Sequence, residues 1–121
     1  MNSELKNLKK LIVNQSLELD CGKIIKDFPL AYETYGTLNK NKNNAILAFH
    51  ALTGDQFCTN TNPITKREGW WTAVVGPGKA IDTNKYFVIC ANVLGGCMGT
   101  YGPKEINDKL DQIFDLSPIQ K

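Results

Sequence analysis

Ala45-Ile46-Leu47-Ala48-Phe49 runs directly into His50-Ala51-Leu52-Thr53-Gly54-Asp55. The apolar half is short, carries no charge and is preceded by the turn-forming Asn and Lys run of residues 39–44. That pattern fits a strand buried on both faces, as in a parallel sheet. The polar half then reads as a loop at the strand's C-terminal end. A second case lies downstream. Tyr86 to Ala91 is apolar and rich in aromatic and branched residues, and it empties into the glycine-rich loop Asn92 to Thr100. Two such strands, each ending in small and polar residues, predict an open α/β sheet, and ligands bind such sheets outside the carboxyl ends of the strands.

The flanking sequence is read more coarsely. Leu11 to Leu19 suits a strand or an extended arm, Cys21-Gly22 a turn, and Phe28 to Thr37 a second strand, so the two runs predict a β-hairpin. Residues 56–68 are polar, carry Pro63 and read as an excursion loop. Gly69 to Gly78 holds both tryptophans, and its Gly76-Pro77-Gly78 end allows only a short helix.

Composition narrows the function. The chain has 121 residues, 42% hydrophobic and 21% charged, which describes one soluble globular unit. Fourteen basic residues against twelve acidic ones leave a net charge of +2, too little for a broad nucleic-acid footprint. No apolar run reaches the roughly 18 to 20 residues of a membrane span, and Met1 to Lys10 lacks the apolar core of a secretory signal. The simplest location is the cytoplasm. The four cysteines, Cys21, Cys58, Cys90 and Cys97, form no CxxC pair and lack zinc spacing, so no metal site is expected.

The stock of catalytic side chains is thin: one histidine, His50, and three serines, Ser3, Ser16 and Ser117. A Ser-His-Asp hydrolase would have to draw its parts from these. Ser117 is followed by Pro118, which has no N–H to offer as an oxyanion donor. Gly95-Gly96-Cys97-Met98-Gly99 has the form of a nucleophile elbow with cysteine in place of serine. However, Thr100-Tyr101-Gly102-Pro103 breaks the helix that an elbow needs next, and the thiolate would need His50 as its base. The alternative is a glycine loop that lets backbone approach closely. His50 to Gly54 has a different use. In α/β-hydrolases the loop after the third strand gives one oxyanion-hole N–H, and Leu52 could supply it here, with His50 bracing the loop. Spacing alone favours the alternative, an ordinary strand-to-loop junction. Trp70-Trp71 reads as core or lid packing, with a binding platform as the alternative.

Taken in order, several blocks resemble the N-terminal part of homoserine O-acetyltransferases. They are Ala31-Tyr32-Glu33-Thr34-Tyr35-Gly36-Thr37, His50-Ala51-Leu52-Thr53-Gly54-Asp55, Gly69-Trp70-Trp71, Gly76-Pro77-Gly78-Lys79-Ala80-Ile81-Asp82-Thr83 and Asn92-Val93-Leu94-Gly95-Gly96-Cys97. The resemblance covers about residues 28–103 and leaves 107–121 divergent. It implies the first strands of the mostly parallel sheet of an α/β-hydrolase fold, so residues 1–121 form a partial domain. It further implies acyl transfer from acetyl-CoA to L-homoserine through an acyl-serine, in cytoplasmic methionine biosynthesis, by a homodimer with no bound cofactor and no nucleic-acid or membrane partner. Leu52 becomes the oxyanion donor, and Thr53, Gly95 and Gly96 line the pocket. The elbow serine, the Asp and the His of the family lie downstream of these blocks. The chain is therefore expected to be a fragment, inactive alone. A homoserine O-succinyltransferase piece and a non-catalytic α/β partner module are the alternatives.

Overall fold

Strand β4 (Phe28–Tyr35) is the spine of the protein in a computed structural model that describes residues 3–103. Its aromatic and branched residues suit a pleated, half-buried surface. On one side β1 (Lys10–Val13) pairs antiparallel to it, from Lys10 opposite Ala31 to Val13 opposite Phe28. On the other side β8 (Phe87–Ala91) pairs antiparallel, with Tyr35 opposite Val88. Strand β5 (Ala45–Ala48) then pairs parallel to β8, giving the order β1-β4-β8-β5. A short 3-10 helix, Ser3–Asn7, precedes the sheet.

The predicted pairing of the first two strands holds, but not as a simple hairpin. A second, smaller hairpin is inserted between them: β2 (Leu17–Glu18) against β3 (Ile24–Ile25), turning at Cys21-Gly22. Its anchor is Ile25, buried with Phe28 and Tyr101 in a small cluster of their own. Two more short strands, β6 (Val75–Gly76) and β7 (Ile81–Asp82), pair parallel in the connection between β5 and β8.

Two expectations are corrected. Among the described residues the sheet is mixed rather than mostly parallel, and no α-helix is present. The strand runs alternate direction across β1, β4 and β8, and only the long β5-to-β8 crossover restores a parallel pair. Strand β5 is also not buried on both faces. Ile46 and Ala48 pack with Val88, Cys90 and Tyr35 under the 56–83 segment. The alternate residues point the other way, and Leu47 is 56% and Phe49 77% exposed. The cause is that no layer among the described residues covers the outer face of β5. Residues 104–121, with Ser117 and the divergent 107–121, lie outside the described residues.

Candidate functional site: the turn after strand β5

His50 lies two residues beyond the end of β5 and uses both ring nitrogens. Nε2 lies 3.1 Å from the Val93 backbone nitrogen, whose N–H can only donate, so Nε2 accepts. The proton therefore sits on Nδ1, which donates to the Ala51 carbonyl at 2.7 Å. The Asn92 side-chain amide adds a donor to Nε2 at 3.3 Å. Asn92 is fully buried and is the hub of the loop beyond β8. Its Oδ1 accepts the Met98 N–H at 3.1 Å, and its carbonyl accepts the Thr100 hydroxyl at 2.7 Å. The Thr100 oxygen in turn accepts the Ala31 N–H of β4 at 2.8 Å. His50 is thus a clamp joining the loops after β5 and β8.

The clamp holds a tight turn. The Gly54 N–H donates to the Ala51 carbonyl at 2.8 Å, closing a four-residue turn whose central residues are Leu52 and Thr53. The central N–H groups of such a turn have no partner within it, and those of Leu52 and Thr53 donate to nothing else among the described residues. The Leu52 side chain is 94% exposed.

Beside the turn lies a cleft of about 280 Å³. Thr53, Asp55, Arg67, Trp70 and Cys97 line it. Asp55 shapes it: one carboxylate oxygen accepts the Phe57 N–H at 2.8 Å, the other accepts the Asn62 amide at 2.9 Å, and its carbonyl accepts the Trp70 indole N–H at 2.9 Å. Trp70 stacks on Trp71 at 5.6 Å between ring centroids, both rings remaining about two-fifths exposed. Of the predicted site residues, Leu52 and Thr53 share the turn, and Thr53 reaches the cleft. Gly95 and Gly96 sit on the loop wrapped around Asn92 and are not among the lining residues. Sequence reasoning missed Arg67 and Asn92. Arg67 is the only arginine of the chain, which was the one available signal.

Cys97 is exposed on the cleft wall, but His50 has no nitrogen left to serve it as a base. Among the described residues no group of His, Cys, Asp or Glu could hold a metal ion, and no helix is long and apolar enough to cross a membrane. Cys58 and Cys90 are buried together in the core. A hydrogen bond with Cys58, followed by burial, pushes the Cys90 thiol far up, and burial does the same to the Tyr35 phenol. Thiol labelling of the native protein at neutral pH is therefore expected to stop at Cys21 and Cys97, with Cys58 and Cys90 reacting only after denaturation. Rapid native labelling of Cys90, read by peptide mass, would contradict this packing.

No family model matches the chain. Curated relatives do. The chain is 69% identical over 101 residues to the homoserine O-acetyltransferase of Pelagibacter ubique, covering 84% of this chain and 27% of that protein. It is 60% identical over 103 residues to that of Rhodopseudomonas palustris, covering 85% of this chain and 26% of that protein. Among solved structures, homoserine O-acetyltransferase from Bacillus anthracis matches with a TM-score of 0.71 at 38% identity, over 84% of this chain and 28% of that one. An acetylester hydrolase from Corynebacterium glutamicum matches with a TM-score of 0.67 at 29% identity, over 92% and 28%. The resemblance read from the sequence is borne out, and the chain spans about a quarter of the length of the curated relatives it matches.

Proposed function

We propose, for a chain that belongs to the homoserine O-acetyltransferase family over about a quarter of its members' length, that these residues build the oxyanion-binding part of an acetyl-transfer site. The carrying observation is the Ala51–Gly54 turn, with two unspent N–H groups beside a cleft and a buried histidine clamp behind it. Fixed N–H donors stabilise negative charge on an attacked carbonyl without reorganising, which is worth several kcal/mol in a water-poor site. Leu52 is the donor, and Thr53 forms the adjoining wall. The Gly95-Gly96 loop holds the Asn92 hub from outside.

The reaction is transfer of acetyl from acetyl-CoA to the L-homoserine hydroxyl through an acyl-serine, without a bound cofactor. Acetyl is favoured over succinyl because the similar curated proteins carry the acetyltransferase name. The setting is cytoplasmic methionine biosynthesis, and the assembled enzyme is a homodimer. The nucleophile is not among the described residues' reactive pairs, since the one histidine is fully occupied as a brace. Incubated with acetyl-CoA and L-homoserine, the 121 residues alone are expected to give no turnover above the uncatalysed rate.

The acetylester hydrolase match favours a second reading, in which water replaces homoserine as acceptor. Grafting the chain in place of the matching segment of the Pelagibacter ubique enzyme separates the two. O-acetylhomoserine in excess of free acetate supports transfer. Acetate as the dominant product with homoserine present would support hydrolysis.

A further inference from the structure

We propose that Cys58 and Cys90 form a modification site: a buried dithiol that hydrogen peroxide converts to a reversible disulfide. This inference needs nothing from the transferase reading. Both thiols are fully buried in the core cluster that packs β8 against the 56–83 segment, and neither is used by the site built on His50. They hydrogen-bond to each other, and Cys90 Sγ lies 3.8 Å from the Asp55 carbonyl oxygen. A single buried cysteine behaves as a small hydrophobe. Two in contact have a further option, because a disulfide needs side chains that are already adjacent.

The oxidant has a way in. A second cleft, of about 480 Å³, has Tyr35 and Thr59 in its wall, with Thr34, Thr61 and Lys79 around them. Thr59 follows Cys58 in the chain, and the Tyr35 side chain hydrogen-bonds to Cys58. One layer of side chains therefore separates the cleft from the pair. That layer stops an alkylating label but passes, in small local openings, a molecule barely larger than water. The hydrogen bond between the thiols sets the order of events. Donation from Cys90 draws the Cys58 thiol below its ordinary pKa, and the same bond, with burial, pushes the Cys90 thiol far up. The Cys58 thiolate attacks one peroxide oxygen, the O–O bond breaks, and the leaving hydroxide takes the proton that Cys58 gave up. Water and a Cys58 sulfenic acid result. With no charge left on Cys58, the Cys90 sulfur attacks it, the S–O bond breaks, and hydroxide leaves with the Cys90 proton as a second water. The pair loses two electrons and the peroxide gains them.

The test uses the 121-residue chain carrying Cys21→Ser and Cys97→Ser, so that only the buried pair remains. Both substituted cysteines are exposed, and an unchanged urea midpoint verifies that the fold is kept. The native protein is treated with hydrogen peroxide, quenched, unfolded in urea and alkylated. Untreated protein should take a label on each of Cys58 and Cys90. Treated protein should take none, yield a linked peptide pair joining Cys58 to Cys90, and regain both labels after dithiothreitol. Thr61→Trp, which fills the second cleft from its exposed rim, should slow linkage several-fold. In Cys90→Ala the reaction should halt at a Cys58 sulfenic acid that dimedone traps. Both labels retained after peroxide, or sulfinic and sulfonic acids in place of the linked pair, would overturn the proposal. So would dimedone trapped at Cys90 in Cys58→Ala, or a Thr61→Trp linkage rate equal to the parent's. The linkage assay on the paired thiols stands whether or not the alanine variants fold.

Discussion

Gly36→Ala is expected to abolish cooperative folding. Gly36 follows β4 directly and adopts a φ of +83°, a left-handed conformation that costs an L-residue about 1–2 kcal/mol. Space is the larger problem. A Cβ there would sit 2.1 Å from the Tyr86 carbonyl oxygen and 2.7 Å from that of Thr83. Both are backbone atoms of the segment entering β8, so relief requires moving the strand that joins β4 to β5. The combined cost should exceed about 4 kcal/mol, most of what a domain of this size has to spare. Gly78→Ala is the control: its φ is +70°, yet a Cβ there meets nothing within 4 Å. It should cost about 1–2 kcal/mol. Urea titrations followed by tryptophan emission compare the two, and equal midpoints would contradict the β4–β8 register.

Asn92→Ala should be nearly as damaging, and it should act on the site as well. The substitution strips the Met98 N–H of its acceptor and His50 of a donor inside a fully buried environment. Orphaned buried groups cost about 1–3 kcal/mol each, so a loss of roughly 2–4 kcal/mol follows. Among the described residues His50, which leads into the Ala51–Gly54 turn, then keeps the Val93 N–H as its one hydrogen bond to the loop after β8. In the grafted enzyme kcat should fall along with stability, because a displaced donor no longer meets the charge it is meant to hold. Thr100→Val is a useful companion, since it removes a hydroxyl on the far side of Asn92 without touching His50. It should lower the melting point while leaving kcat nearly intact at a temperature where both proteins are folded. Equal kcat losses in both variants would show that the histidine clamp has no special role.

Much of this arrangement was legible in the residues. The short apolar runs at Ala45 and Tyr86 announced β5 and β8, because uncharged runs bounded by turn residues have few other readings. The His50-to-Asp55 loop and its bracing histidine were legible too, the latter mainly by counting the histidines. What sequence could not show was who braces whom. The partners of His50, Asn92 and Val93, lie more than forty positions away, and no local pattern encodes that contact. The open outer face of β5 was equally hidden, since Leu47 and Phe49 read as core whether or not a layer covers them. Hairpin β2–β3 escaped notice because two-residue strands leave no periodicity. Arg67 stands in no motif of the sequence, and only the fold sets it in one cleft with Thr53 and Trp70.

In the proposed site the backbone N–H of Leu52 holds the developing oxyanion, and proline tests this by removing that hydrogen alone among the turn's donors. The measurement is kcat for O-acetylhomoserine formation by the grafted enzyme carrying Leu52→Pro, beside Leu52→Ala, which keeps the N–H. With the Leu52 side chain 94% exposed, Leu52→Ala should stay within a few fold of the parent. Leu52→Pro should lose about 10²–10³-fold in kcat at an unchanged melting temperature. A Leu52→Pro enzyme that is folded and as fast as Leu52→Ala would contradict the account.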